Sequence, residues 1–136
     1  MQEIRIKKDG KWYFGGAEMF RRNILNVLAS NIQRTDDGEY VIQMGDDMNP
    51  LEVEDVPFLV TGICEKERPL KLRMHDLQEL TLDHELKLTL KGDVPYISYR
   101  WEADTRLSRG VYWKLSEYFD FRGEDVFIVP PLGQEG

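Results

Sequence analysis

The sequence predicts an α+β protein of mostly antiparallel sheets, with two principal helices in two tandem, pseudo-repeated strand–helix–strand motifs. The first observation is a repeated pattern: residues 20–28 and 107–115 both read apolar, any, Arg, any, β-branched, any three, Leu. The second is a strand-like run before each stretch and a Gly-Glu dipeptide with a strand after it. The pattern aligns Phe20 with Leu107, Arg22 with Arg109, Ile24 with Val111 and Leu28 with Leu115. Both apolar stripes are therefore expected to pack against one sheet system.

Size, charge and cysteine usage limit the classes of function. The 136 residues suit one domain or two small subdomains, and 25 acidic against 18 basic residues give a net charge of −7. An acidic chain lacks the basic field that nucleic acids and anionic lipid surfaces require, so neither is expected as a partner. The single Cys64 and the lack of any apolar run near membrane-spanning length predict a cytoplasmic protein without disulfides.

The first half predicts hairpins around one helix. Apolar residues Phe20, Ile24, Val27 and Leu28 recur at helical spacing, which predicts a helix from Ala17 to about Asn31 with these four side chains buried. The Asp-Gly pair at 37–38 predicts a tight hairpin turn. The strands predicted in this half are residues 3–7, 11–14, 32–35, 39–44, 51–54 and 58–64, with a polar loop at 45–50.

The second half begins after a charged connector, residues 65–69, which ends in proline. We therefore predict subdomains at 1–67 and 68–136. The strands predicted in the second half are residues 70–74, 86–91, 95–101 and 125–129, while residues 76–85 are open between a short helix and an irregular crossing. Asp104 or Thr105 is expected to cap the second helix. Its predicted buried stripe is Leu107, Val111, Leu115, Tyr118 and Phe119.

Several of these segments also resemble a known family. They are Trp12–Gly15, Phe20–Arg22, Asp37–Tyr40, Val53–Phe58, Pro95–Arg100 and Leu107–Leu115, of which Val-Glu-Asp-Val-Pro-Phe at 53–58 is the most specific. The chain is similar along nearly its whole length to the bacterial family known as domain of unknown function 1285. The resemblance implies an α+β fold with two related motifs in tandem and a suggested role in signalling. It implies no established activity, so no catalytic residue is carried over.

Arginines and acidic residues form the main candidate ligand-binding set. Arginine beside an apolar stripe keeps its charge and must find a carboxylate, a carbonyl or an anion. The set comprises Arg22, Arg100, Arg109, Glu54 and Asp55, with the two acidic residues near the kink at Pro57. Two interpretations remain open: a structural network that ties each helix to the sheet, or a pocket for an anionic ligand between the repeats.

A metal site and a nucleophile are the competing chemical interpretations. His75, Asp76, Asp83 and His84 have ligand-like residue types, but the alternation of the strand at 84–90 would turn Asp83 away from His84. We therefore rank surface histidines ahead of a metal site. Cys64 on an apolar strand is expected to be a small buried hydrophobe, with a Cys–His pair as the alternative.

The sequence leaves three classes of function. The first is a non-enzymatic binding module for a small anionic ligand or a protein partner, without a cofactor and with a possible signalling role. The second is a metal-dependent hydrolase using His75, Asp76 and His84. The third is a structural interaction protein that forms a homodimer through an exposed strand edge. The lack of a convergent catalytic set places the binding module first.

Overall fold

The computed structural model describes residues 3–66 and 69–130. Within them the chain forms two helices and 14 strands in two sheets of six and eight strands, most of them paired antiparallel. This confirms the predicted α+β class. No helix in the described ranges has the length and apolar character needed to cross a bilayer.

The fold divides into two compact units. Unit 1 contains the chain up to Pro57 together with Asp76–Gln78, and unit 2 contains Phe58–His75 and the chain from Glu79 onwards. The predicted subdomain boundary between residues 67 and 68 falls on residues outside the described ranges.

Unit 1 is a six-stranded sheet with one helix. Its elements are β1 (Ile4–Ile6), β2 (Trp12–Phe14), β3 (Ala17–Met19), α1 (Arg22–Ser30), β4 (Ile32–Arg34), β5 (Tyr40–Met44) and β6 (Asp47–Val53). The strand order is β3-β2-β1-β6-β5-β4, with β1 and β6 paired parallel and the other neighbours antiparallel. Trp12, Leu25, Ile32 and Ile42 are almost fully buried and form its core.

Unit 2 is an eight-stranded sheet with the second helix. Its elements are β7 (Phe58–Cys64), β8 (Leu70–Met74), β9 (Glu79–Leu82), β10 (Leu86–Lys91), β11 (Val94–Ile97), β12 (Thr105–Leu107), α2 (Arg109–Leu115), a 3₁₀ turn (Ser116–Tyr118), β13 (Phe119–Arg122) and β14 (Asp125–Ile128). The strand order is β13-β14-β10-β11-β12-β7-β8-β9. Leu72, Leu82, Ile97 and Leu115 are fully buried in it.

Helix α1 begins five residues later than predicted. Gly15 and Gly16 have φ values of 60° and 89°, a left-handed conformation that glycine adopts without strain, and they turn the chain from β2 into β3. The hairpin therefore takes residues 17–19, which the apolar periodicity assigned to the helix. Arg22 becomes the first helical residue.

The predicted apolar stripe of α1 is wrong for the same reason. Phe20 precedes the helix and is 75% exposed, while Ile24 and Val27 are 39% and 51% exposed. The helix instead buries Leu25 and Ala29, which lie one turn apart. Without Phe20, the apolar residues of α1 form two overlapping stripes, and the stripe that includes Ala29 is the buried one.

Helix α2 matches its predicted stripe better. Val111 and Leu115 are buried, and Leu107 is buried as well but belongs to β12. The cap is Ser108, whose Oγ accepts a hydrogen bond from the Val111 N–H at 3.4 Å, rather than Asp104 or Thr105. Those two residues precede and begin a short strand that the sequence did not show.

Other departures involve short strands in polar sequence. Residues 47–50, predicted as loop, belong to β6, because a tight turn at Gly45 (φ 62°) pairs Asp47 with Met44. The open segment 76–85 contains β9, and β13 was not predicted. The predicted strand 95–101 ends at Ile97, because the backbone N–H groups of residues 99–101 bind the Asp104 carboxylate instead of a neighbouring strand.

Candidate ligand cleft

The five predicted ligand-binding residues are all exposed. Arg22, Glu54 and Asp55 lie in unit 1, whereas Arg100 and Arg109 lie in unit 2. Arg22 and Arg109 are each the first residue of their helix. Their exposure removes the argument that burial forces them to find a partner, and neither side chain forms an ion pair within the described ranges.

Two members of the set have local roles. Glu54 Oε1 accepts a hydrogen bond from the Lys8 N–H at 2.9 Å, beside the turn of the β1–β2 hairpin. The guanidinium of Arg100 stacks over the Trp101 ring at 4.7 Å from its centroid. These contacts position loops of the separate units, and of the five predicted residues only Arg109 lines a sizeable cleft.

A buried carboxylate organises the backbone that leads to this cleft. Asp104 is 1% exposed, and its two oxygens accept hydrogen bonds from the backbone N–H groups of Tyr99, Arg100 and Trp101 at 2.8, 3.0 and 2.9 Å. Such charge-assisted bonds are strong in a buried setting, so they end β11 and fold residues 98–103 into a compact turn. The role predicted for Asp104 as a helix cap is therefore replaced by a loop-forming role.

Strand β12 follows directly from Asp104. It lies between β11 and β7, pairing antiparallel with the first and parallel with the second. Because side chains alternate along a strand, the buried Thr105 and Leu107 face one side and Arg106 faces the other. The Ser108 N–H donates to the Val60 carbonyl at 2.9 Å, which sets the start of α2 against β7.

A cleft of about 560 Å³ lies between α2 and the tip of the β10–β11 hairpin. One wall is apolar and contains Leu90, Val94 and Pro95 from the hairpin. The other wall is aromatic, with Tyr112 and Trp113 from α2. The volume is within the range of small-molecule sites.

The polar groups of the cleft are mainly basic. Arg106 and Arg109 line it, with Asp93 in the hairpin turn as the acidic lining residue. Arg106 Nε is buried and has no hydrogen-bond partner, and neither arginine side chain forms an ion pair with any residue in the described part of the chain. A buried N–H without a partner costs free energy.

The sequence pointed to Arg109 but missed Arg106, Asp93, Tyr112 and Trp113 as cleft residues. Arg106 follows Asp104 in a segment that the sequence assigned to the helix, so its alternation with Thr105 and Leu107 was not considered. The available signal was the alternation of Thr105, Arg106 and Leu107, in which the charged residue stands between two less polar ones.

The predicted metal ligands do not converge. In the β8–β9 hairpin, Leu70 pairs with Leu82 and Arg73 with Glu79, so these rungs lie about 10 Å apart at ~3.3 Å per residue. His75 lies beyond one rung and His84 beyond the other. Asp76 is buried and accepts hydrogen bonds from the Gln78 backbone and side-chain nitrogens. Across residues 3–66 and 69–130, no three His, Cys, Asp or Glu side chains meet as a metal-ligand group.

A surface ion-pair cluster on β13 shows the clearest electrostatic perturbation. Arg122 donates two hydrogen bonds to Glu85 at 2.9 and 2.8 Å and a third to Asp120 at 2.7 Å. The hydrogen bonds from Arg122 lower the pKa of Glu85. The bonds to Glu85, followed by the bond to Asp120, raise the pKa of Arg122. The cluster lies outside the lining of the cleft.

Cys64, predicted to be buried, is half-buried on β7.

Fold and site together describe a two-unit α+β protein with an arginine-lined, aromatic-walled cleft in unit 2. Its fold is that of DUF1285 family proteins, the family that the sequence resembles. One such protein, from Silicibacter pomeroyi DSS-3, superposes with a TM-score of 0.70 at 16% identity, over 89% of this chain and 71% of that one. Another, from Shewanella baltica OS155, gives a TM-score of 0.71 at 19% identity, over 88% of this chain and 94% of that one. No protein-family model and no curated protein matches the sequence.

Proposed function

We propose that this chain is a non-enzymatic cytoplasmic binding module that senses a small anionic ligand in the unit 2 cleft, with a role in signalling. The observation that carries the proposal is the pair Arg106 and Arg109, which line one cleft and have no carboxylate partner in the described chain. Guanidinium is the preferred protein group for carboxylate and phosphate because its fork of donors matches their oxygens. The lone Cys64 supports a reducing compartment.

The lining of the cleft supports binding over catalysis. The described side chains around it are apolar, aromatic or arginine, apart from Asp93, with no histidine, cysteine, serine or lysine among them. Nucleophilic or general acid–base catalysis needs a reactive group held by a second one that activates it, and Asp93 and Tyr112 form no hydrogen bond with each other or with another described side chain. The metal-hydrolase alternative has weaker support, because its two histidines lie beyond opposite rungs of one hairpin.

We also propose that the two halves are versions of one motif. In unit 1 the meander β1-β2-β3 leads into α1 and then into the hairpin β4-β5, and in unit 2 the meander β10-β11-β12 leads into α2 and the hairpin β13-β14. The order of equivalent strands in the two sheets agrees, and so do their directions, with β6 inserted between β1 and β5. This supports the alignment of Arg22 with Arg109.

The same alignment supplies a control residue. It places Met19 of unit 1 at the position of Arg106, so unit 1 has the equivalent of only one of the two arginines. Arg22 is exposed and begins its helix as Arg109 does, but the position equivalent to Arg106 is not an arginine. A change at Arg22 should therefore leave anion binding intact.

Thermal-shift measurements with an anion panel test the proposal. We expect phosphate, citrate and phenyl phosphate, as representatives of different anions, to include at least one that raises the melting temperature of the wild type. That rise should be lost in Arg106→Met and Arg109→Met and retained in Arg22→Met. Equal loss in the Arg22→Met control, or an undiminished rise in both cleft variants, would rule the cleft out as the anion site.

An exposed apolar surface in unit 1 favours the interaction-protein alternative as a second candidate. Phe14, Phe20 and Ile24 lie beside β3, the terminal strand of its sheet, and Phe20 is 75% exposed. Exposed apolar side chains at a free strand edge suit pairing with a second copy of the chain. Analytical ultracentrifugation tests this: a wild-type dimer that becomes monomeric in Phe20→Ser supports it, and a wild-type monomer at all concentrations excludes it.

A further inference from the structure

We infer that the ligand of the unit 2 cleft is a planar aromatic anion, with its ring stacked on Trp113 and its anionic group held by Arg106 and Arg109. This inference rests on the proposed function and narrows it from small anions in general to one class. A purine or pyrimidine mononucleotide and an aromatic carboxylate both have this shared chemistry.

Trp113 supplies the first argument. Tryptophan is usually well covered in folded proteins, yet this indole is 65% exposed at the edge of the cleft. The ring of Tyr112 contacts it edge-on, with centroids 5.8 Å apart and planes at 64°. An indole supported at its edge and open to solvent is the arrangement of a stacking platform for a flat ring.

Helix geometry places this platform next to the charge. Arg109 and Trp113 are four residues apart in α2, so their side chains are neighbours on one helix face. A guanidinium and an indole in that relation can hold the two ends of one small molecule, the anionic group on the first and the ring on the second. Arg106, from β12, adds a second arginine to the lining of the same cleft.

The opposite wall suits a flat, apolar guest. Leu90, Val94 and Pro95 present aliphatic surface, and Leu90 is 48% exposed although it lines the cleft. A bare inorganic anion would leave this surface and the indole uncovered by ligand. A ring would cover both.

Asp93 supplies the argument for a nitrogen-rich ring. Its carboxylate repels a bare anion but accepts hydrogen bonds from N–H groups. Adenine, guanine and cytosine carry such donors on their edges, whereas benzoate carries none. A mononucleotide can therefore use the Trp113 ring, the two arginines and the Asp93 carboxylate, whereas an aromatic carboxylate uses only the ring and the arginines.

Calorimetric titration of the full chain separates the parts of this inference. The probes are AMP, which has ring and phosphate, ribose 5-phosphate, which lacks the ring, adenosine, which lacks the phosphate, and benzoate, an aromatic carboxylate. The variants are Trp113→Leu, Arg109→Met and the control Phe121→Leu, which changes an aromatic side chain that is 72% exposed outside the cleft.

We expect AMP to bind at least about 10-fold more tightly than ribose 5-phosphate, because a stacked base is worth roughly that factor or more. AMP should also bind at least about 10-fold more tightly than adenosine, because charge-assisted hydrogen bonds from arginine to the phosphate are worth a similar factor. Trp113→Leu should weaken AMP by about 10-fold and leave ribose 5-phosphate unchanged, while Phe121→Leu changes neither. If benzoate binds as tightly as AMP and is weakened by Trp113→Leu, the ligand is still a planar aromatic anion, but an aromatic carboxylate rather than a mononucleotide.

Two results overturn the inference in different ways. If ribose 5-phosphate binds as tightly as AMP and both depend on Arg109, the ring is irrelevant while the anion site stands. If none of the four probes binds at concentrations up to about 10 mM, the affinity of the cleft for them is negligible. Both the inference and the proposed anion site then fail for these ligands.

Discussion

Arg106 and Arg109 lie on different elements, the strand β12 and the helix α2, yet line one cleft without a carboxylate partner for either in the described chain. Hydrogen bonds to the backbone, rather than any contact between the two arginines, bring these residues to one cleft. The Asp104 carboxylate folds the loop before β12, and the bond from the Ser108 N–H to the Val60 carbonyl sets the start of α2 against β7.

Asp104→Asn should destabilise the protein strongly. The substitution replaces a buried carboxylate that accepts three backbone N–H bonds with an amide, which is a weaker acceptor and directs N–H donors at other donors. We expect a loss of about 3 kcal/mol in the free energy of unfolding, measured by urea denaturation. Asp46→Asn, at an exposed turn, is the matched control and should change stability little. A small effect at Asp104 would mean that the loop holds without its carboxylate.

The two helix caps should respond in opposite directions. Ser108 caps α2 through its hydroxyl, so Ser108→Ala should lose up to about 1 kcal/mol. Arg21 occupies the cap position of α1 in an extended conformation and makes no cap bond, so Arg21→Asp should gain about 0.5–1 kcal/mol. Thermal unfolding of both variants checks the pair. A destabilised Arg21→Asp would show that arginine has another role at that position.

Leu25 and Ile24 should differ sharply although they are adjacent. Leu25 is fully buried, so Leu25→Ala should cost about 3 kcal/mol through lost contacts and a cavity. Ile24 is 39% exposed, so Ile24→Ala should cost less than about 1 kcal/mol. Chemical denaturation of the two variants decides which apolar stripe α1 buries. The reverse order would restore the stripe predicted from the sequence.

The Arg122–Glu85 pair should contribute stability that depends on pH. Arg122 lowers the pKa of Glu85 below its usual 4.5, so the folded state binds a proton less readily than the unfolded one. The stabilisation is complete above the unfolded pKa and is lost as the pH falls through the lowered folded value. The melting-temperature difference between wild type and Glu85→Gln should therefore shrink from about pH 6 to about pH 3. A difference that is constant with pH would mean that the pair has no electrostatic role.

Long, regular segments could be predicted from the sequence, and short ones could not. Strands 70–74 and 86–91 alternate cleanly between apolar and polar residues, and the structure confirms them. β3 and β12 have three residues each, which is too short for periodicity to outweigh the helical pattern that follows. In both places the predicted helix extended back over the strand, and the cap at Ser108 was overlooked.

The candidate site was predictable only in part because its residues share no local motif. Arg109 stood out through its counterpart Arg22, whereas Arg106 needed the alternation of a strand that was not predicted. Asp93 and Trp113 reach the same cleft through the β10–β11 turn and the helix, about 20 residues apart in sequence. These residues come together because of the order of the strands in the sheet, and that order could not be predicted from local sequence patterns.

The most direct test of the account follows the side-chain Nε–Hε resonances of the arginines by ¹H–¹⁵N NMR during titration with AMP. Saturation should shift the signals of Arg106 and Arg109, because both guanidiniums gain an anionic acceptor, while the signal of Arg22 stays in place. The Arg106 signal is the most informative, since its Nε is buried and has no hydrogen-bond partner in the described chain. Saturable binding that leaves the Arg106 and Arg109 signals unchanged would contradict the account.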